Sequence, residues 1–182
     1  MMRIKVGVMG SAAEVEPGQR PELEPKLTQL STALAAHDVV LFTGATTGLI
    51  HEVGKAAQTV GVFHVGISPA SSLEEHVSRF GLPTDGCDVL VYTGFGLKGR
   101  NVVLVRSCDI VMFVAGAMGS LNEFTIAHDE GKVIGCLRGT GGVADQADYL
   151  LQKFSKHAGA RVFQDDDPEA LLDVCLSALA MR

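Results

Sequence analysis

Short apolar segments alternate along the chain with longer segments of helical spacing, and this alternation limits the possible folds most strongly. Strands that are apolar along their whole length are typical of a parallel sheet covered on both faces. The sequence therefore predicts an α/β fold, a Rossmann-like doubly wound sheet of six or seven mainly parallel strands with helices on both faces. The predicted strands are residues 4–9, 39–43, 62–67, 89–92, 110–115 and 133–137. The predicted helices are residues 23–36, 48–60, 72–80, 98–107, 120–130, 145–156 and 168–181, and residues 14–25, with three prolines, are predicted to form a long first loop.

The composition limits the class of protein. The chain has 182 residues, of which 47% are hydrophobic, so we expect a single domain over residues 1–182 with one sizeable core. A net charge of −6 without a basic stripe argues against a nucleic-acid partner. No apolar segment is long enough to span a bilayer, and no signal-peptide core follows the first residues. We expect a cytoplasmic protein with no membrane partner.

The metal-binding residue types show no ligand spacing. The four cysteines are far apart and form no C-x-x-C pair, and most lie in or beside apolar segments. This pattern indicates buried thiols in a reducing compartment. The six histidines also lack the spacing of a metal site. We therefore expect no metal and no required cofactor.

Three glycine-containing turns follow predicted strands and open predicted helices, at residues 10–12, 44–48 and 116–120. The carboxyl ends of parallel strands meet at one edge of a sheet, and backbone N–H groups at a helix N-terminus bind phosphate there. None of the turns has the G-x-G-x-x-G spacing of a dinucleotide site or the lysine of a P-loop. The pattern favours a nucleoside monophosphate or similar phosphate ester as ligand. For each turn, an ordinary tight turn is the alternative.

Charged residues flank the third turn. Arg100 lies 16 residues before Gly116, and Glu123 ends the motif. The fork of an arginine suits a phosphate, although a surface arginine is the alternative. Arg106 lies six residues after Arg100 and points about 120° away on a helix, so the two do not share one narrow face. Ser120 and Glu123 also have the spacing of a capping box, which is the alternative to a catalytic role for Glu123.

These motifs resemble those of the Lonely Guy (lysine-decarboxylase-like) family of nucleoside 5′-monophosphate phosphoribohydrolases. That family's signature is an arginine, a second arginine six residues on, and then P-G-G-x-G-T-x-x-E. Arg100, Arg106 and residues 115–123 fit this register without a gap, and residues 43–50 and 8–11 look like two further turns of the family. The wider superfamily also includes molybdenum-cofactor carrier proteins. The resemblance is specific over residues 99–137 and looser over residues 5–67.

The resemblance implies a function and a set of site residues. It implies hydrolysis of the N-glycosidic bond of a nucleoside 5′-monophosphate to a free base and ribose 5-phosphate, in a homodimer or higher homo-oligomer. The apolar helix around residues 97–108 also predicts an interface. A non-catalytic carrier of a nucleotide-like or molybdenum-cofactor-like ligand is the alternative. The implied catalytic residues are Arg100 and Glu123, and the implied nucleotide- and phosphate-binding residues are Gly10, Ser11, Gly44, Thr46, Gly116, Gly119, Ser120 and Arg106.

Some positions depart from the signature. Ala115 replaces the proline, Ala117 replaces the second glycine, and Ser120 replaces the threonine but keeps the hydroxyl. Asn101 stands where a lysine often follows the catalytic arginine, and Asn122 replaces an acidic neighbour of the glutamate. If position 117 requires a positive φ, an alanine there costs about 1 kcal/mol. Retention of the arginine and glutamate favours the enzyme, whereas the altered glycine turns favour the carrier.

Overall fold

One parallel sheet organises the chain. The computed structural model describes residues 2–14, 16–154 and 159–181. The strands lie in the order β4-β3-β2-β1-β5-β6-β7, and every neighbouring pair is parallel. The strands are β1 (Lys5–Gly10), β2 (Val40–Thr43), β3 (Phe63–Ser68), β4 (Val89–Tyr92), β5 (Ile110–Val114), β6 (Val133–Leu137) and β7 (Arg161–Asp165).

Helices cover both faces of this sheet. On one face, a core that includes Leu30, Val53 and Leu171 packs under α1, α2 and α8. On the other face, a core that includes Leu104 and Phe124 packs under α4 and α5. The helices are α1 (Arg20–Ala36), α2 (Gly48–Thr59), α3 (Leu73–Ser78), α4 (Gly96–Ser107), α5 (Met118–Asp129), α6 (Gly142–Asp145), α7 (Ala147–Phe154) and α8 (Pro168–Ala180).

The predicted fold class is confirmed, with corrections to single elements. Strand β7 was absent from the predicted strands because its sequence mixes polar and apolar residues at the sheet edge. The predicted helix at 145–156 is instead α6 followed by α7, and residues 155 and 156 lie outside the described residues. The prolines of the predicted first loop do not prevent α1 from beginning at Arg20, because Pro21 lies in the first turn, where its missing N–H has no helical partner.

The order of the strands places a crevice beside β1. The chain adds β2, β3 and β4 on one side of β1 and then returns to form β5 on its other side. The loops that follow β1 and β5 therefore leave the sheet in opposite directions. Ligands of open α/β sheets bind at this kind of position, outside the carboxyl ends of the strands.

Two of the turns at this edge hold alanines in left-handed backbone conformations. Ala45, after β2, has a φ of 47°, and Ala115, after β5, has a φ of 56°. Ala117 has a φ of −118°, so replacing the signature's second glycine with alanine causes no backbone strain at that position. The strain falls instead on Ala115, where the signature has proline. Since proline holds φ near −65°, the conformation of this turn differs from that of a turn with proline at this position.

The helices of the described residues include none that is long and apolar enough to cross a membrane.

Substitutions at Ala115 test the conformation of this turn. Ala115→Pro is expected to destabilise the protein by about 3 kcal/mol or more, because proline excludes a positive φ. It also removes the N–H that donates to Thr140 Oγ1 at 2.8 Å. Ala115→Gly, the matched control, is expected to change the free energy of unfolding by less than about 1 kcal/mol. Urea unfolding measures both, and equal stability of the two variants would contradict the left-handed turn.

Candidate functional site

A cavity of about 200 Å³ opens at the carboxyl edge of the sheet, between β1, the turn after β2, and the first turns of α4 and α5. The elements that line it are distant in sequence and are brought together by the strand order. Lys98 and Asn101 of α4 also face this cavity. The predicted site residues that line the cavity are Gly10, Gly44, Thr46, Arg100, Gly119, Ser120 and Glu123.

Three predicted site residues do not line the cavity. Arg106 is at the other end of α4, where it pairs with Glu130 at 2.6 Å. Gly116 joins the turn to α6, since its carbonyl accepts from the N–H of Val143 at 2.9 Å. Ser11 shapes the neighbouring loop, where its Oγ accepts from the N–H of Ala13 at 3.1 Å.

Arg100 is buried, with 7% of its surface exposed, and is held by backbone carbonyls. Its Nη1 donates to the carbonyl of Gly44 and, at 3.3 Å, to that of Ile67. A Cβ at residue 44 would overlap this nitrogen, so a side chain there would displace the Arg100 guanidinium from its position. Within the described residues, Nε and Nη2 of Arg100 have no hydrogen-bond partner, which leaves them for a ligand. Burial lowers the pKa of Arg100, and the charge of Glu123 opposes that change.

Glu123 places a carboxyl group in the same cavity and is equally buried. Burial raises the pKa of Glu123 to about 7, although the charges of Arg100 and Lys98 act to lower it. Among the described ion pairs within 4.0 Å, none joins Glu123 to Arg100. With its amide nitrogen oriented toward Glu123 and the carbonyl of Leu97, Asn101 donates to Glu123 Oε1 at 3.1 Å. This carboxyl therefore gains and loses its proton near neutral pH.

The capping-box alternative for Glu123 is wrong because the helix begins earlier than predicted. Helix α5 begins at Met118, so Ser120 lies inside its first turn and does not cap it. The hydroxyl of Ser120 donates instead to the carbonyl of Gly10 at 2.9 Å and joins α5 to the end of β1. Glu123 is one turn further along, where its side chain enters the cavity.

The N-termini of α5 and α2 differ in their access to the cavity. Helix α5 starts after Ala117 without a side-chain cap among the described residues, and Gly119 and Ser120 of its first turn line the cavity. In α2, the N–H groups of Leu49 and Ile50 donate to carbonyls of the loop after β1, at 3.3 and 3.4 Å. Of the two, α5 is thus the one that can bind an anion through its backbone.

Two departures from the signature turn out to be neighbours. The side-chain amides of Asn101 on α4 and Asn122 on α5 lie 2.9 Å apart. The lysine and the acidic residue of the signature are therefore replaced together by a neutral pair. This contact is not evident from the sequence, because it joins two helices. Nor does the sequence pattern single out Lys98, although its spacing of three residues from Asn101 places both on one helix face.

The SLOG cluster4 family model matches residues 3–172. The chain belongs to the SLOG cluster4 family. A relative from Archaeoglobus fulgidus, described as an uncharacterized protein, is 26% identical over 178 residues, which cover 98% of each chain. Among solved structures, TM1055, a structural-genomics target, has a TM-score of 0.82 at 26% identity, over 96% of this chain and 99% of that one.

A second structure similar to this SLOG protein is titled as a molybdenum cofactor binding protein, from the phototrophic bacterium Rippkaea orientalis. It has a TM-score of 0.77 at 23% identity, over 98% of this chain and 99% of that one. At this identity the likeness shows a shared fold. Together, the family match and these structures confirm the resemblance to the Lonely Guy superfamily and its Rossmann-like fold.

Glu123→Gln is expected to stabilise the protein at alkaline pH. Burial raises the pKa of Glu123 from its ordinary value of 4.5 to about 7, so the folded state holds this proton more tightly than the unfolded chain does. Wild-type stability from this group is complete below about pH 4.5 and is lost as the pH rises through about 7. A pKa change of this size corresponds to about 3 kcal/mol in the free energy of unfolding. The variant does not lose this stability at alkaline pH, because glutamine stays neutral.

The measurement is urea unfolding of both proteins at pH 5 and pH 8, where the other titrating groups are common to both. The free energy of unfolding of the variant, relative to wild type, is expected to rise by about 2.5 kcal/mol between these conditions, because at pH 5 the unfolded chain is already largely ionised at this group. A difference independent of pH would show that Glu123 is ionised throughout.

Proposed function

We propose that the cavity binds a nucleoside 5′-monophosphate and hydrolyses its N-glycosidic bond, releasing the base and ribose 5-phosphate. The observation that carries the proposal is the buried carboxyl of Glu123, which shares one cavity with the guanidinium of Arg100 and the uncapped start of α5. The reaction needs these components together, an anion site for the phosphate and a carboxylate beside the ribose.

The phosphate is bound at the first turn of α5. The N–H groups of Gly119 and Ser120 and the positive end of the helix dipole attract an anion. Two cations on α4 add to this attraction, Arg100 through its Nε and Nη2 atoms and Lys98 through a side chain exposed at the cavity. Lys98 thus supplies a positive charge close to position 101, where this chain has Asn101 in place of the lysine of the signature.

The ionised carboxylate of Glu123 acts on the ribose. As the bond from C1′ to the base breaks, its electron pair leaves with the base and positive charge develops on the sugar, which the carboxylate stabilises. The oxygen of a water molecule then bonds to C1′. One proton of that water passes to Glu123, and the base nitrogen takes up a proton from solvent as it departs. Glu123 then returns its proton to solvent, so that the net reaction consumes one water molecule. Asn101 holds the carboxylate in place for this step.

A carrier of a nucleotide-like cofactor is the second candidate function. The likeness to a protein titled as binding the molybdenum cofactor favours it. A further observation is that Nη1 of Arg100 is already bound to two carbonyls, so that half of the guanidinium is unavailable to a transition state. A carrier would use the same anion site and leave the ligand unchanged.

A panel of nucleoside monophosphates separates the two functions. Wild-type protein is expected to release free base from at least one of them, measured by chromatography. Glu123→Gln is expected to lower kcat at least about a hundredfold with little loss of binding, because the charge is lost and the size is kept. Glu130→Gln is the matched control, because it removes a carboxylate that pairs with Arg106 outside the cavity.

The same assay, repeated across pH, tests the protonation state. Since the reaction needs the ionised form of Glu123, kcat/KM is expected to rise as the pH rises through about 7. Thermal stabilisation by a monophosphate without release of base from any member of the panel would favour the carrier.

We also propose that the protein forms a homodimer through the outer part of the sheet face that α4 covers. Phe63, Val89 and Val91 lie on that face of β3 and β4, and Phe95 and Val102 lie before and on α4. All five side chains are exposed, between 37% and 68%. A group of apolar side chains of this kind on a protein surface is typical of an interface.

Sedimentation at micromolar concentration tests the assembly. Wild type is expected to sediment as a dimer, and Val91→Lys as a monomer, because the charge would be buried without a partner. Val174→Lys is the matched control, since Val174 is similarly exposed but lies on α8, on the opposite side of the sheet. A monomeric wild type would refute the dimer.

A further inference from the structure

Two buried histidines have no part in the proposed reaction. His64 lies on β3 and His76 on α3, and both are at most 2% exposed. Each ring contacts a hydroxyl group at the last residue of a strand. Thr43 Oγ1 lies 2.8 Å from His64 Nε2, and Ser68 Oγ lies 2.8 Å from His76 Nδ1.

The direction of these hydrogen bonds follows from the other ring nitrogen. His64 Nδ1 faces the carbonyl of Gly86, and His76 Nε2 faces that of Pro83 at 2.9 Å. Because a carbonyl only accepts, both of these nitrogens carry hydrogen. In a neutral ring, the nitrogen that faces the hydroxyl is then an acceptor. Burial lowers the pKa of His64, which favours the neutral ring there.

Each hydroxyl also fixes the turn that follows its strand. Thr43 Oγ1 accepts from the N–H of Ala45 at 3.3 Å, and Ser68 Oγ accepts from the N–H of Ala70 at 3.1 Å. Since the hydroxyl hydrogen points to the histidine, its lone pairs are directed to these N–H groups. In both places, a histidine thereby orients a hydroxyl that holds the backbone.

These two backbone segments carry the carbonyls that bind Arg100. The Gly44 carbonyl lies within the turn that Thr43 closes, and the Ile67 carbonyl belongs to the peptide that joins it to Ser68. The same arrangement thus occurs twice around one guanidinium. Between them, the two histidines support every acceptor that Arg100 Nη1 has among the described residues.

We propose that His64 and His76 are positioning residues for Arg100, each acting through a strand-end hydroxyl on one of the two carbonyls that hold Nη1. Arg100 is the residue that touches the ligand, and the histidines set its place. The location of Arg100 does not depend on what the protein binds. The expected effect on turnover rests on the proposed function.

Asparagine and glutamine substitutions separate the two bonds of each ring, since the amide of asparagine reaches the place of Nδ1 and that of glutamine the place of Nε2. His64→Gln keeps the acceptor for Thr43, and His64→Asn loses it. At position 76 the order is reversed, so that His76→Asn keeps the acceptor for Ser68 and His76→Gln loses it. Each of the four variants loses one buried hydrogen bond. A general effect on packing would therefore not place glutamine above asparagine at position 64 and asparagine above glutamine at position 76, which is the crossed order that the proposal predicts.

Crystal structures and kinetics of the four variants test the proposal. In His64→Asn and His76→Gln, Arg100 is expected to leave the carbonyl concerned, and kcat/KM is expected to fall about tenfold or more. In His64→Gln and His76→Asn, Arg100 is expected to stay in place with near wild-type kcat/KM. Arg100 in the same place in all four structures would overturn the proposal.

Two conservative substitutions at Thr43 provide the test if a histidine variant does not fold. Thr43→Ser keeps the hydroxyl and Thr43→Val removes it with little change of shape, so only the latter is expected to displace Arg100 from Gly44. If wild type releases no base, the hydrolase function fails, while the position of Arg100 in these structures still decides the role of the histidines. If wild type is active and the crossed order is absent, the positioning role alone fails.

Discussion

The burial of Arg100 at the carboxyl edge of the sheet is the constraint on which the rest of the site depends. A guanidinium removed from water needs acceptors, and this one takes the carbonyls of Gly44 and Ile67. These hydrogen bonds bring α4 against the ends of β2 and β3, and a side chain at residue 44 would displace the guanidinium. It also leaves one side of the guanidinium directed to the cavity, opposite the first turn of α5.

The second charge in the cavity behaves differently because no cation of the described residues forms an ion pair with it. Glu123 has no ion pair within 4.0 Å among the described residues, and its near neighbour is the amide of Asn101. With Asn101 and Asn122 in place of a charged pair, nothing close by fully compensates the carboxylate, and burial raises the pKa of Glu123 to about 7. The charge of this carboxyl group therefore responds to small changes in its surroundings, such as the change that an anion bound nearby would cause.

The fold was predictable because its strongest signal is local. Strands β5 and β6 are buried at every residue, and their apolar sequences show this directly. Strand β7 lies at the sheet edge and carries Arg161, Gln164 and Asp165, so no apolar run marked it. The start of α5 was misplaced for a related reason. Its N-cap, Ala117, has no capping side chain, whereas Ser120 has the sequence of a cap but bonds to β1.

The sequence by itself determined the parallel sheet, its two covered faces, and the glycine turns with Arg100 and Glu123, because these depend on periodicity and on residue type at short spacing. The tertiary structure decided which of these residues share a cavity and which, like Arg106, lie outside it. It alone showed the contact of Asn101 with Asn122 and the histidine support behind Arg100. These contacts join residues of different elements, and the packing that brings them together also sets the burial on which the charge of Glu123 depends.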